Sequence, residues 1–164
     1  MLLRIYTTIM KITRTSNISI AFWNIDNVHY SINRKKFCKL DDEDIKKALG
    51  QHDIICLLET HCSFSDTIEL EGYSTVMNVR PKSPKATKHS GGIAILVKTN
   101  IKPGVTFLPL SNTEFMWIKL NKKFFNMQDD LFVAAVYKCP ANSSYANKTE
   151  DIFELIENDV AMYS

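Results

Sequence analysis

The segment from Asp53 to Thr60 constrains the fold more than any other part of the sequence. It holds five consecutive apolar residues, Ile54 to Leu58, followed directly by Glu59. A short apolar run that begins with β-branched residues is typical of a strand buried on both faces, as in a sheet covered by helices. Glu59 would then lie at the end of a rigid strand, where a metal-binding carboxylate can be held in a fixed geometry. The alternative is a solvated charge that only ends the strand.

Length, charge and cysteine spacing limit the class of protein. The 164 residues suit one domain with a sizeable core, and 45% of them are hydrophobic, as in ordinary globular proteins. A net charge of +2 is too small to indicate nucleic-acid binding by itself. No two of the four cysteines form a CxxC pair, which argues against a zinc site and favours reduced thiols in an intracellular compartment. No apolar run is long enough to cross a bilayer, so no membrane partner is expected.

Further strands and two helices are predicted from the pattern of apolar residues. The predicted strands are Ile18–Trp23, Gly72–Met77, Ser90–Lys98, a half-exposed Glu114–Leu120, and Leu131–Tyr137. The predicted helices are a short one that begins among Asp41–Asp44 and stops at Gly50, and an amphipathic one over Lys148–Tyr163 with Ile152, Leu155, Ile156 and Val160 on its apolar side. Residues 1–17 are predicted to be an unstructured leader, and Asn27–Cys38 a polar loop. Strands with few helices indicate a layered α/β or α+β domain.

Polar side chains follow three of the predicted strands. Asn24 and Asp26 come after the first, Glu59 after the central one, and Tyr137 ends the last. Amide, carboxylate and phenol oxygens suit the hard Mg²⁺ ion and a phosphate group. Spacing alone leaves this constellation open to other interpretations.

A basic loop is the second candidate binding feature. Its cations are Arg80, Lys82, Lys85 and Lys88, in a segment that also contains proline. Such a loop can lie along a nucleic-acid phosphate backbone. It can equally be a solvated surface loop without a partner.

Four short sequence motifs, in this order along the chain, resemble those of a known family. They are Phe22-Trp23-Asn24-Ile25-Asp26, Asp53 to Cys62, Ser90 to Leu96, and Val136-Tyr137 with Pro140. Together they resemble the endonuclease/exonuclease/phosphatase superfamily, and within it apurinic/apyrimidinic-type endonucleases and the endonuclease domain of LINE-type retrotransposons. The resemblance implies a DNase I-like four-layer α/β sandwich for residues 18–164.

The resemblance also implies a chemistry, which is Mg²⁺-dependent nicking of DNA. By analogy, Glu59 would be the main metal ligand, with Asp26 as a second contact. Asn24 would position the metal and the catalytic groups, and Tyr137 would bind the scissile phosphate. DNA would be the partner, and the protein would be nuclear if it acts on DNA.

The sequence departs from the family pattern in three respects. Leu58 stands where the family often has Gln, and Lys138-Cys139 separate Tyr137 from its proline. The last glycine is Gly104 and the last histidine is His89, so the Gly-Asp-Phe-Asn-like and Ser-Asp-His-like words that follow in the family are absent. We therefore expect an incomplete sandwich whose second sheet is largely missing, and weak or no activity. His29, His52, His61 and His89 match no catalytic histidine and receive no role.

Two other functions fit the same residues. One is a catalytically dead remnant that binds nucleic acid through Arg80–Lys88, which salt-sensitive binding without cutting would reveal. The other is a superfamily phosphatase acting on small or lipid phosphoesters, although the Leu58-Glu59-Thr60-His61-Cys62 context resembles the DNA-cutting branch more.

Overall fold

Two β-sheets and a separate hairpin make up the framework of the protein. A computed structural model describes residues 5–10, 18–84, 86–110, 112–140, 143 and 151–163. In chain order the strands are β1 (Ile5–Met10), β2 (Ile18–Asn24), β3 (His29–Ile32), β4 (Lys35–Cys38), β5 (Ile54–Leu58), β6 (Tyr73–Asn78), β7 (Ile93–Lys98), β8 (Val105–Phe107), β9 (Phe115–Leu120) and β10 (Leu131–Val136). The helices are α1 (Glu43–Leu49), α2 (Lys122–Phe125) and α3 (Ile152–Tyr163).

The larger sheet has β5 at its centre and determines where the polar strand ends meet. Its strand order is β1-β2-β5-β7-β6. Strands β2 and β5 are parallel, with Asn24 opposite Leu58, whereas the other pairs are antiparallel. The carboxyl ends of β2 and β5 therefore lie side by side, and residues that follow them share one edge of the sheet.

The smaller sheet packs face to face on the larger one. Its order is β10-β9-β8, with antiparallel pairing throughout. Side chains alternate along each strand, so Ile54 and Cys56 of β5 share one apolar cluster with Met116 and Ile118 of β9. Each of these four residues is at most 2% exposed. This cluster is the main core between the sheets.

Helices and loops cover the outer faces of both sheets. On the larger sheet, Ile55 and Leu57 of β5 pack with Leu49 of α1. On the smaller sheet, Trp117 packs with Ile152 of α3. The layers run helix, sheet, sheet, helix, which confirms the predicted mixed α/β class and is consistent with a DNase I-like sandwich. Burial of β5 on both faces is also confirmed, because Ile54 to Leu57 are fully buried.

Helix α1 shows why the local sequence folds as predicted. The Asp42 side chain accepts hydrogen bonds from the backbone N–H groups of Asp44 and Ile45, which satisfies two donors at the helix start. Acids occupy the first turn and lysines the last, and Gly50 caps the end.

Within the described ranges, no helix has the length and apolar character needed for a bilayer crossing.

Two segments predicted to lack regular structure form strands. Within the predicted leader, Ile5–Met10 pair antiparallel with β2. Within the predicted polar loop, β3 and β4 form a hairpin around Asn33 and Arg34, whose φ angles are 50° and 64°. Such left-handed pairs match the twist of a two-residue hairpin. The sequence prediction missed the hairpin because its turn lacks the usual glycine and its strands are mostly polar.

Three expectations for the second half of the chain need correction. The Glu114–Leu120 strand was predicted to be half exposed, but Phe115 to Ile118 are buried because the larger sheet covers one face and α3 the other. The second sheet was expected to be largely missing, yet three of its strands are present and cover the apolar face of β5. In α3, Val160 is 47% exposed rather than on the packed side, and predicted residues 148–150 lie outside the described ranges.

Candidate active site

The candidate site lies at the sheet edge where β2 and β5 end. Asn24 is the last residue of β2, and Glu59 directly follows β5. Asn24 Nδ2 donates a hydrogen bond of 2.7 Å to Glu59 Oε1. The same amide accepts a 3.2 Å bond at Oδ1 from the backbone N–H of Asp26. The parallel pairing thus brings together three residues that the sequence analysis placed in one site.

Unfavourable backbone conformations are concentrated at this edge. Asp26, Asn27, Glu59 and His61 have φ angles of 44°, 73°, 56° and 52°. Left-handed φ values cost most non-glycine residues about 1–2 kcal/mol, and Asp and Asn less. Backbone hydrogen bonds hold them in place, including Asn27 N–H to Glu59 O at 2.8 Å and His61 N–H to Gly91 O at 2.8 Å. Strain of this kind that the surrounding structure maintains is common at functional sites.

Asp26, Glu59 and His61 form a potential metal-ligand set. One ligand atom from each residue lies within 4.8 Å of the others. His61 Nε2 is 3.6 Å from Glu59 Oε2, and both side chains are about one-fifth exposed. Two carboxylates and an imidazole fit a divalent cation, since oxygen ligands favour Mg²⁺ and Mn²⁺ and imidazole is accepted by transition ions. The sequence analysis gave His61 no role, although its position two residues after Glu59 was the available signal.

Tyr137 completes the cluster from the smaller sheet. It directly follows β10, and its backbone N–H donates to Glu114 O at 2.8 Å. Burial and the nearby Glu59 carboxylate raise the pKa of Tyr137 to about 12, so the phenol is neutral at physiological pH, as an ordinary tyrosine is. The structure therefore brings Asn24, Asp26, Glu59 and Tyr137 to one place.

The location of Arg80 corrects its assignment to an exposed basic loop. Its side chain is 5% exposed, and Nη2 donates to Glu114 Oε1 at 3.0 Å. The guanidinium carbon lies 5.4 Å from the centre of the Tyr137 ring. A buried arginine paired with a carboxylate is not available to a phosphate backbone at the surface. Arg80 instead supports the site through its contacts with Glu114 and the Tyr137 ring. The sequence could not reveal its partner, which lies 34 positions away.

The three lysines of the predicted basic loop have different outcomes. Lys82 and Lys88 are exposed, and Lys85 lies outside the described residues. Their contact with nucleic acid stays a prediction. Lys88 borders a cleft of about 280 Å³ that His61 also lines, so this cleft adjoins the candidate site. The remaining lining residues are Asn27, His29, Ser31, Lys36, Asp66 and His89.

Replacing Gly91 is expected to disturb the site through Arg80. An added Cβ at Gly91 would lie 2.4 Å from Arg80 Nη1 and 2.6 Å from Cζ, and the φ angle is +67°. Gly72 has a similar φ of +81° but open space around it, which makes it a matched control. We expect Gly72→Ala to lower the free energy of unfolding by about 1 kcal/mol, and Gly91→Ala by roughly 2 kcal/mol more, since overpacking adds to strain. Urea unfolding measures both, and equal losses would contradict the close packing of Arg80 on Gly91.

Comparison with known proteins identifies the family of this chain. The model of the Endonuclease/Exonuclease/phosphatase family matches residues 21–162, which include Asn24, Glu59 and Tyr137. A comparison with curated proteins gave no match. The match covers most of the chain, including the polar residues at the ends of β2, β5 and β10. The chain therefore belongs to the endonuclease/exonuclease/phosphatase family.

Proposed function

We propose that this protein is a Mg²⁺-dependent phosphodiesterase that nicks DNA. The observation that carries the proposal is the convergence of Asp26, Glu59 and His61 at one strained sheet edge, with Asn24 and Tyr137 beside them. Members of the family act on nucleic acids or other phosphoesters and are generally metal-dependent. The likeness of the Glu59-Thr60-His61-Cys62 context to LINE-type and apurinic/apyrimidinic-type endonucleases supports DNA as the substrate.

Each residue has a distinct role in this proposal. Glu59 is the main metal ligand and Asp26 the second. Asn24 donates to Glu59 Oε1 at 2.7 Å and so orients the carboxylate, leaving Oε2 on the side of His61. Tyr137, which stays protonated, donates a hydrogen bond to a non-bridging oxygen of the scissile phosphate. When bound, Mg²⁺ supplies Lewis-acid polarisation of the phosphoryl group.

Nicking by these 164 residues is expected to be slow, because they do not include the family motifs that carry the acid that activates water and the final histidine. General acid–base catalysis contributes roughly 10²–10⁴-fold to an enzymatic rate. Electrostatic stabilisation and orientation by Glu59, Asn24 and Tyr137 would remain, since both depend on residues that the structure holds together. We therefore propose slow nicking rather than none.

The test is conversion of supercoiled plasmid to open circles by the full chain. We expect slow conversion with Mg²⁺ and none with EDTA, followed on gels over long incubations. A parallel reaction with a nucleotide-free phosphoester separates the phosphatase alternative, which predicts hydrolysis of that ester without nicking. Salt-sensitive DNA binding by a folded chain that does not cut in Mg²⁺ would contradict the proposal and favour the catalytically dead remnant.

A further inference from the structure

A second cluster of potential metal ligands borders the same cleft as His61. It consists of His29, the first residue of β3, and Cys62 and Asp66 in the loop after β5. One ligand atom from each lies within 4.8 Å of the others. Cys62 is 2% exposed, whereas His29 and Asp66 are partly exposed toward the 280 Å³ cleft. The three side chains come from two segments that the sheet brings together.

Local hydrogen bonds hold these three residues in position. The backbone N–H of His29 donates to Asn27 Oδ1 at 3.1 Å. Asp66 Oδ2 accepts 2.7 Å bonds from both the backbone N–H and the hydroxyl of Ser63. A carboxylate oriented by a second residue is typical of metal ligands, whose affinity depends on such support.

We propose that His29, Cys62 and Asp66 form a metal site selective for Zn²⁺ or a similar borderline-soft ion. A thiolate and an imidazole are ligands that select such ions, whereas Mg²⁺ prefers oxygen atoms alone. The site is thus chemically distinct from the Asp26–Glu59–His61 set, where two of the three ligands are carboxylates. The absence of a CxxC pair counted against a zinc site in the sequence, but a set with a single cysteine ligand does not need that pair.

Lys36 already pairs with the Asp66 carboxylate that the metal ion would bind. Lys36 Nζ lies 2.8 Å from Asp66 Oδ1, and the lysine side chain is 58% exposed. An ion pair whose lysine lies mostly in solvent is screened by water and contributes little to stability. Displacing Lys36 into solvent therefore costs little, while Oδ2 keeps both bonds to Ser63.

Metal binding also requires the loss of one proton. The Cys62 thiol now donates to Thr60 O at 3.6 Å. When the metal–sulfur bond forms, this proton leaves to solvent, His29 contributes a nitrogen lone pair, and Asp66 contributes Oδ1. A water molecule from the cleft would complete the coordination of the ion. Because Cys62 directly follows His61, the bound ion would fix the loop that carries His61 beside Glu59.

The test uses the metal-free full chain with Co²⁺ and Zn²⁺ alone as probes. We expect Co²⁺ to give a thiolate-to-metal charge-transfer band, and Zn²⁺ to displace it at one equivalent with release of one proton. Cys62→Ser should remove the band. His29→Asn, at a partly exposed position that tolerates change better, should weaken Zn²⁺ binding by more than about 100-fold, since even the supporting partners of ligands are worth roughly 10–100-fold.

Two control variants make the result specific. Cys38→Ser removes a half-buried thiol nearby and should leave the band unchanged. Glu59→Gln should also leave it unchanged, so failure of this metal site can be told apart from failure of the proposed nuclease. Absence of the band, or unaltered Zn²⁺ affinity in both Cys62→Ser and His29→Asn, would overturn the proposal. So would loss of the band in Glu59→Gln, because the thiolate site would then depend on a residue outside the proposed set.

Discussion

Glu59→Gln is expected to reduce Mg²⁺-dependent nicking about 10²–10³-fold, the size of effect seen when one preorganised electrostatic group is removed from an active site. The substitution removes the negative charge that would hold the metal. It keeps an oxygen that can accept the 2.7 Å hydrogen bond from Asn24 Nδ2. The loss is therefore expected in catalysis rather than in folding.

Initial rates of plasmid nicking at saturating Mg²⁺ measure this effect, with thermal unfolding recorded in parallel. Glu69→Gln is the matched control, because it removes an exposed carboxylate from the same loop region and should retain full activity. If Glu59→Gln nicked DNA as fast as the native chain while remaining folded, Glu59 would not be the main metal ligand. An equal loss in Glu69→Gln would instead point to a general effect of charge.

Sequence patterns were sufficient to predict the strands that carry the site. The apolar runs of β2, β5 and β10 are unambiguous because both faces of these strands need apolar cover. Asn24 and Glu59 were grouped as polar strand ends and through the family resemblance, and the parallel pairing of β2 with β5 is what brings them to one edge. Helix α1 was equally predictable, because Asp42 and Gly50 are local capping signals.

The residues that sequence reasoning missed depend on contacts distant in the chain. Arg80 looks like a loop cation until Glu114, 34 positions later, is seen to pair with it. His61 looks isolated until its left-handed backbone, with a φ of 52°, is seen beside Glu59. The burial of Phe115 and Trp117 depends in the same way on α3, which covers the outer face of the smaller sheet. These contacts arise from tertiary packing, which the local periodicity of the sequence does not indicate.

Breaking the buried Arg80–Glu114 ion pair is expected to cause a large loss of stability. Arg80→Met should lower the free energy of unfolding by about 3 kcal/mol, because it leaves a buried carboxylate without its cation. The Glu114 side chain is only 15% exposed, so water replaces little of the lost interaction. Urea unfolding measures the change. Asp129→Asn is the control, since its pair with Lys122 has side-chain exposures of 89% and 46% and should cost less than about 1 kcal/mol.

A double-mutant cycle separates the ion pair from the other contacts of Arg80. Glu114→Gln alone leaves the Arg80 guanidinium buried, and the double variant Arg80→Met/Glu114→Gln removes both charges. If the pair is the source of the loss, the double variant should be more stable than the sum of the two single losses predicts. Additive losses would instead assign the effect to the packing of Arg80 on Gly91 and on the Tyr137 ring. The same variants also test the site. Glu114 O accepts a hydrogen bond from the backbone N–H of Tyr137, and the ion pair joins the segment that carries Arg80 to the segment that carries Glu114.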